Sequence, residues 1–364
     1  MAHLKADRAR LAQIESEIDE LEQKLQLLRT EKNTAQGRLD AFKYPVLTLP
    51  NEITSEIFVQ VLPPYPRCPP VTGRSSPTAL THVCRKWRDI GLATPQLWRA
   101  ISLRETSGDS EETRIEMEKI TIWLDRSRAC ALSIRMEHWP DLFSGVYNHP
   151  EECYDALLPH RERWEHLQLN VHNRHLHLFD GLQPSLKSLS LKMEDYEQGR
   201  PAVSDLDFPR LEAVSISNFE RPVDWLPWSQ LKSLTLNEMH PHQYIPILQN
   251  SRHLVHLTLL CCHGHDPSVA ELPFPRLQTL LIFRCNQTFT ETFRMLITPV
   301  LRRLQLPDAV MGDDPIDTLS SFVSRSGMPI AYAVHHRGAD QRYFQGGIPH
   351  RVSYHPENPV QERI

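Results

Sequence analysis

The sequence lacks several features that would assign it to common functional classes. It has no apolar run approaching the ~18 residues of a membrane-spanning helix, and its charged amino terminus does not look like a signal peptide. It has no basic tract, and its net charge of -5 offers no footprint for nucleic acid. Its seven cysteines are odd in number and never spaced as C-x-x-C, which is typical of reduced thiols. We therefore expect a protein of the cytoplasm, the nucleus or both that binds neither membrane nor nucleic acid.

Recognisable catalytic motifs are also missing. The sequence contains no G-x-S-x-G, P-loop, H-E-x-x-H or G-x-G-x-x-G, so no residue is assigned as a nucleophile, a phosphate cradle or a catalytic metal ligand. We expect a non-enzymatic protein that needs no cofactor and no metal.

Two clusters of histidine and cysteine nevertheless raise a zinc hypothesis. The clusters are His172, His175 and His177, and Cys261, Cys262, His263 and His265. Adjacent thiols seldom both reach one tetrahedral ion, and no second pair with ligand spacing accompanies either cluster. The favoured interpretation places Cys261 or Cys262 in a core and the histidines on a solvated loop. A metal-dependent enzyme is the least favoured functional class.

Residues 1–43 predict a long helix with an apolar seam. Between residues 4 and 42 the only glycine or proline is Gly37, so little in this stretch disfavours a helix. The apolar residues are spaced alternately three and four apart, as in the a and d positions of a heptad. The predicted seam comprises Leu11, Ile14, Ile18, Leu21, Leu25 and Leu28. A coiled coil is favoured over an amphipathic helix that folds back on its own protein.

The charges beside this seam bear on the partner. A parallel pair of identical helices would oppose Arg10 to Glu15, but also Glu17 to Glu22, Lys24 to Arg29 and Arg38 to Lys43. An antiparallel pair can instead oppose Arg10 to Glu31 and Glu17 to Lys24. The pattern favours an antiparallel or heterotypic partner over a parallel homodimer.

Residues 44–103 predict a small helical segment with a proline-rich insert. Pro45 stops the first helix, and the stretch from Pro50 to Val61 predicts a short amphipathic helix. The insert, residues 63–77, is so rich in proline that we expect an extended, solvated loop without regular structure. Beyond it, Leu80, Val83, Trp87 and Ile90 recur at helical spacing.

Residues 104–310 repeat an L-x-x-L-x-L pattern, which predicts the architecture. Seven segments begin at residues 164, 186, 211, 231, 254, 277 and 301, in steps of 20 to 25 residues. This period is typical of leucine-rich repeats, whose units bury their leucines only by stacking on their neighbours. Residues 99–103 and 130–134 read as degenerate first strands, and residues 244–253 and 290–299 as short helices. We expect an α/β (α+β) curved solenoid with an open strand face, followed by a cap and tail over residues 311–364.

The stretch from Leu49 to Trp98 resembles an F-box, the module that docks substrate receptors onto the Skp adaptor of cullin-based ubiquitin ligases. The matching residues include the Leu49-Pro50 opening, Ile53, Ile57-Phe58, Leu62, Leu80, Val83-Cys84, Trp87, Pro95 and Leu97-Trp98. With the coiled-coil helix before it and the repeats after it, nearly the whole chain is similar to a fungal branch of F-box proteins.

The resemblance implies a three-helix F-box, a Skp-type adaptor and cullin as partners, and an unknown protein substrate. The implied adaptor-binding residues are Leu49, Pro50, Ile53, Ile57, Leu80, Val83, Cys84, Trp87, Leu97 and Trp98. The insert departs from the family, whose first two helices are joined by a short connection, so adaptor contacts by Leu49, Pro50 and Ile53 are in question. A helical cap on the first strands is the alternative interpretation, and a non-proteolytic scaffold is the alternative function.

The repeat pattern also predicts a substrate-binding surface. In L-x-x-L-x-L the leucines point inward, so the residues between and after them face the open side of the sheet. These are small and polar in the middle repeats and become apolar and cationic further along. The predicted substrate-binding residues are His256, Leu260, Leu281, Phe283 and Arg303. The alternative is that residues 328–334 fold over them as a cap.

Overall fold

The structure is a computed structural model. It describes residues 2–42, 44–71, 73–104, 110–137, 151–171, 181–193, 206–219, 225–264, 271–285 and 289–327. The chain divides into two compact units, residues 1–57 and residues 58–364. The histidines at 172, 175, 177 and 265, and the possible cap at residues 328–334, lie outside the described residues.

The first unit contains one long helix. Helix α1 runs without interruption over Ala2–Ala41, ends before Tyr44 and Pro45, and is followed by a 3-10 turn at Pro45–Thr48. The helix expected in this region is therefore confirmed, as is its stop. The side chains of residues 3–42 are all exposed, including the predicted seam residues Leu11, Ile14, Ile18, Leu21, Leu25 and Leu28. Helix α2, Asn51–Val61, begins in this unit, and the boundary between the units falls within it.

The second unit combines short helices with a parallel sheet. The further helices are α3 (Pro77–Thr81), α4 (Arg85–Leu92), α5 (Ser110–Ser127), α6 (Glu151–Leu157), α7 (Pro241–Asn250), α8 (Thr290–Met295) and α9 (Pro315–Ser326). The strands of the large sheet are β1 (Ala100–Arg104), β2 (Leu132–Glu137), β3 (Trp164–Val171), β5 (Ser188–Met193), β7 (Ala213–Ser217), β8 (Ser233–Asn237), β9 (His256–Leu260), β11 (Thr279–Phe283) and β13 (Arg303–Gln305). Two small parallel pairs join β4 (Gly181–Leu182) to β6 (Leu206–Asp207), and β10 (Leu272–Pro273) to β12 (Leu296–Ile297).

The nine strands of the large sheet follow one another in chain order, and every neighbouring pair is parallel. The seven L-x-x-L-x-L segments form β3, β5, β7, β8, β9, β11 and β13. The two degenerate segments form β1 and β2. The expected strands are thus confirmed, as are the short helices expected near residues 244–253 and 290–299, which correspond to α7 and α8.

The sheet is buried on one face and partly exposed on the other. In β7, β8 and β11 buried residues alternate with half-buried ones. The inward leucines Leu234, Leu257 and Leu280 have no exposed surface and occupy the same register position on successive strands. Parallel sheets covered on both faces read as nearly continuous apolar runs. The alternation in this sheet therefore follows from its having one polar face.

Backbone hydrogen bonds extend the register beyond the strands. Before the strands, Lys232 N donates to Glu212 O at 2.8 Å, Val255 N to Lys232 O at 2.8 Å, and Gln278 N to Val255 O at 2.9 Å. After the strands, the next residue adopts the left-handed conformation; these residues are Asn218, Glu238, Cys261 and Arg284, with φ between 51° and 60°. A non-glycine residue with positive φ is uncommon. Its recurrence directly after four strands shows that these strands end with the same local backbone geometry.

The stretch of helical spacing after the insert forms two short helices. Leu80, Val83, Trp87 and Ile90 recur at helical spacing, and in the structure α3 ends at Thr81 and α4 begins at Arg85. The backbone of Cys84 is extended, with φ -159° and ψ 170°. The Arg88 guanidinium donates from Nε to the carbonyl of Thr81 at 2.9 Å and so satisfies a carbonyl freed by the break. Periodicity alone does not reveal such a break because both short helices keep the same apolar side.

The inward leucines are the strongest test of this fold. We expect Leu257→Ala to lower the free energy of unfolding by about 2–5 kcal/mol, because it removes a fully buried side chain between two strands. Thr258→Ala, the next residue and on the opposite face, is the matched control and should cost about 1 kcal/mol or less. Urea unfolding followed by circular dichroism measures both. Equal costs for the two variants would contradict the assignment of the faces.

Candidate partner-binding surfaces

The predicted adaptor-binding residues in the first unit lie at or before the start of α2. Leu49 is half-buried and Pro50 is exposed. Ile53 and Ile57 follow one helical turn apart and are 51% and 45% exposed. Both isoleucines are therefore available to a partner.

The predicted residues of the second unit differ widely in exposure. Val83 lies in the break between α3 and α4 and is 60% exposed. Cys84 and Trp87 are half-buried, and the Trp87 ring contacts Phe58 with centroids 4.9 Å apart. The interruption between α3 and α4 thus leaves Val83 exposed, while Trp87 packs toward the core.

Leu80, Leu97 and Trp98 are buried in the core of the second unit. The indole Nε1 of Trp98 donates to the carbonyl of Gly91 at 3.0 Å, and its ring meets Trp123 of α5 edge-on at 5.4 Å. These three side chains therefore join the short helices to the rest of the unit. The exposed members of the predicted adaptor-binding set are Pro50, Ile53, Ile57 and Val83.

The proline-rich insert packs on the first strands, so the expectation of a solvated loop is wrong, although the described part of the insert before α3 has no helix or strand. Ser133 Oγ of β2 donates to the carbonyl of Pro66 at 2.6 Å. Cys68 Sγ donates to the carbonyl of Ile101 in β1 at 3.3 Å. Tyr65 stacks under the Arg99 guanidinium at 3.9 Å. The insert therefore covers part of the polar side of β1 and β2.

Tyr65 anchors the insert through a charged partner. Its hydroxyl donates to Glu165 Oε2 at 2.8 Å, and its ring meets His166 edge-on at 5.4 Å. Burial and the hydrogen bond to the carboxylate raise the pKa of Tyr65. Burial also raises the pKa of Glu165, but the hydrogen bonds from Lys187 and Tyr65 outweigh it and leave that pKa lowered. Glu165 is thus held as a carboxylate that accepts from both side chains.

Sequence reasoning missed this anchor. Proline explains why the insert lacks regular structure, but it says nothing about where the insert packs. The available signal was the aromatic residue between prolines, because a large side chain in a polar loop often finds a contact surface.

The anchor makes Cys68 a reporter. We expect Tyr65→Ala to accelerate alkylation of Cys68 in the folded chain on the order of tenfold. A hydrogen bond to a charged group contributes about 1.5–3 kcal/mol, and its loss should make the insert detach more often from the first strands. Peptide mass spectrometry after timed alkylation measures the rate. Cys84, which is also half-buried, serves as the internal control and should be unaffected. An unchanged Cys68 rate would show that Tyr65 does not hold the insert.

The polar face of the sheet presents its side chains in rows set by the register. One row runs Ser188, Ala213, Ser233, His256, Thr279 and Arg303. The next runs Ser190, Ser215, Thr235, Thr258, Leu281 and Gln305, and the third Lys192, Ser217, Asn237, Leu260 and Phe283. The face changes from small polar residues to apolar and cationic residues between β8 and β11. Its last three strands therefore differ chemically from the middle strands.

The structure brings the five predicted substrate-binding residues together on β9, β11 and β13. Leu260 and Phe283 are register partners, and Leu281 lies two residues before Phe283. His256 and Arg303 both pair with Thr279, one from each side. His256 and Arg303 are exposed and the three apolar side chains are half-buried. The arrangement offers an apolar surface beside a guanidinium, which suits binding of a partner.

The imidazole of His256 contributes no fixed charge at neutral pH. Partial burial lowers its pKa below the ordinary value of 6.5. The neutral ring both donates and accepts hydrogen bonds. Arg303 is therefore the permanent cation among the five residues.

Two cysteines form part of the core rather than a reactive site. Phe219, Met239, Cys262 and Cys285 occupy equivalent positions after successive strands and are all buried. Cys262 Sγ donates to the carbonyl of Leu236 at 3.5 Å. Burial raises the pKa of Cys262 and of Cys285 to about 12 in each case, so both remain thiols. The expectation of a core cysteine in this cluster is confirmed for Cys262.

His263, beside Cys262, is exposed, and its ring stacks on His240 at a centroid distance of 4.5 Å. Within the described ranges no group of three or more histidine, cysteine or acidic residues is arranged to hold a metal ion. The helices described also include none that is both long and apolar enough to cross a membrane.

Comparison with known proteins adds no family or relative. The sequence matches no protein-family model, and a search of curated proteins finds no match either.

Proposed function

We propose that the chain is the substrate-recognition subunit of a Skp/cullin/F-box ubiquitin ligase. Residues 44–103 form its F-box and dock a Skp-type adaptor, which brings the cullin. The polar face of the repeat domain binds the target protein. The chain itself performs no catalysis and acts in the cytoplasm, the nucleus or both.

The local geometry supports a leucine-rich-repeat-like solenoid as the finer fold. From β3 to β13 the strands of the large sheet recur in chain order with steps of 20 to 25 residues, and each strand places two apolar residues at the same inward positions. The leucine-rich-repeat consensus continues L-x-x-L-x-L-x-x with asparagine or cysteine. Cys262 and Cys285 stand at that position, buried and bonded to backbone carbonyls.

The observation that carries the docking proposal is the exposure of apolar side chains in the segment that resembles an F-box. Ile53, Ile57 and Val83 have about half of their surface in water. Other apolar residues of the same segment, among them Leu80, Leu97 and Trp98, contribute to the core of the second unit instead. When a partner covers an apolar side chain that the core does not use, the burial of that side chain makes the free energy of binding more favourable. These three residues are therefore the proposed contacts.

The proposed target surface has the composition of an interface. Half-buried Leu260, Leu281 and Phe283 lie on two adjacent strands, with Arg303 on the next strand. Aromatic residues and arginine are enriched at protein interfaces. We propose that a target presents an apolar side chain to this patch.

Val83 gives a direct test of docking. We expect Val83→Glu to weaken binding of the Skp-type adaptor by tenfold or more, because a carboxylate would replace an apolar contact worth about 1.5 kcal/mol or more. Isothermal calorimetry with the purified adaptor measures this. Ile316→Glu is the matched control, since Ile316 is 78% exposed on α9 and lies outside the proposed surface.

Val83→Glu should leave the melting temperature unchanged because the side chain contributes little to the core. Wild-type affinity in a folded Val83→Glu variant would contradict the proposed docking surface. Loss of binding in both variants would mean that the glutamate acts non-specifically.

A non-proteolytic scaffold is the second candidate function. The exposed seam of α1 favours it, because such a helix can join a partner without any ligase. Co-purification separates the two candidates. Recovery of the adaptor and a cullin with the folded chain supports the receptor, and recovery of neither supports the scaffold.

A further inference from the structure

The apolar seam of α1 lies entirely in water. The six seam residues from Leu11 to Leu28 are between 42% and 60% exposed, and they line one side of an uninterrupted helix. A long isolated helix gains most of its stability by packing its apolar stripe against another element. The seam is therefore an interface, and the charges beside it indicate what kind of helix fits.

These flanking charges are arranged in blocks. Between residues 8 and 31, the positions beside the seam carry a basic pair, then an acidic group, a second basic pair and a further acidic residue. The members are Arg8 and Arg10, then Glu15, Glu17 and Glu22, then Lys24 and Arg29, then Glu31. All of these side chains are exposed. They are thus positioned to meet the flanking charges of a partner helix.

A second copy in parallel does not fit this pattern. Each flanking residue would then face the one five positions along the other chain. Glu17 would meet Glu22, and Lys24 would meet Arg29. Only the Arg10 and Glu15 pair would attract.

An antiparallel second copy fits only in part. One register of the antiparallel pair opposes Arg10 to Glu31 and Glu17 to Lys24 on one side of the seam. The same register also fixes which residues face each other on the other side of the seam. There Arg8 would face Arg29, and Glu15 would face Glu22. The attractive and repulsive pairs are equal in number, so the charges do not select this assembly.

We propose that α1 binds a helix of a different protein, whose flanking charges are the opposite of its own. That helix presents acidic residues to the two basic pairs and basic residues to the acidic group between them. The leucines and isoleucines of the seam supply the attraction, and the charges exclude self-pairing. This interface is independent of the proposed adaptor and target surfaces.

Synthetic helices test the charge rule on the full-length chain. Three peptides span residues 2–42: the native sequence and two rearranged ones of the same net charge and the same seam. The parallel probe carries Glu17→Lys, Glu22→Lys, Lys24→Glu and Arg29→Glu. The antiparallel probe carries Arg8→Glu, Glu15→Lys, Glu22→Lys and Arg29→Glu. When the parallel probe pairs in parallel with α1, the two repulsive flanking pairs named above for the parallel arrangement become attractive. The antiparallel probe does the same for those of the antiparallel arrangement.

We expect the full-length chain to sediment as a monomer and to bind one probe at least about tenfold more tightly than the native peptide, because several matched pairs replace mismatched ones. Added salt should reduce this difference. Ile18→Asp with Leu25→Asp in the full chain should abolish probe binding.

Two outcomes would overturn the proposal. Self-association of the full chain that Ile18→Asp with Leu25→Asp removes, or native-peptide binding as tight as either probe, would show that a second copy occupies the seam. Failure of both probes to bind would show that the flanking charges do not select the partner.

Discussion

The burial of inward leucines between neighbouring strands is the interaction on which the second unit depends. Leu234, Leu257 and Leu280 stand side by side in register and are completely buried. A single strand cannot bury such residues alone, so each strand depends on its neighbours in the sheet. Because the inward residues supply the buried contacts of the sheet, the residues at outward positions can vary without removing those contacts. The polar face can therefore change from serine and threonine to Leu281 and Phe283 without loss of the fold.

The packing around Trp98 and Tyr65 connects the short helices to this sheet. Trp98 bonds to the end of α4 and packs on Trp123 of α5, while Tyr65 ties the insert to Glu165 and Arg99. Both contacts use a large aromatic ring with a polar atom that finds a partner. Together they join α4 to α5 and hold the insert against the starts of β1 and β3.

The sequence predicted the strands well because their signal is local and repeated. Each L-x-x-L-x-L segment carries its own pattern, and the register of His256, Thr279 and Arg303 follows from aligning the segments. The division between α3 and α4 was not predictable in this way, since Leu80 and Trp87 keep helical spacing across it. The position of the insert was also missed, because Tyr65 and Glu165 are a hundred residues apart and nothing local specifies their contact. Burial decided between core and surface for Trp98 and Val83, which the sequence could not distinguish by residue type.

Hydrogen exchange on the full-length chain, with and without a Skp-type adaptor, tests the proposed division of labour most directly. We expect the adaptor to slow exchange in residues 77–92 and in α2, where the proposed contacts lie. Exchange in β5 to β13 should remain unchanged, because the polar face is reserved for the target. Unchanged exchange in residues 77–92 at saturating adaptor, or slowing confined to β9, β11 and β13, would contradict the proposed function.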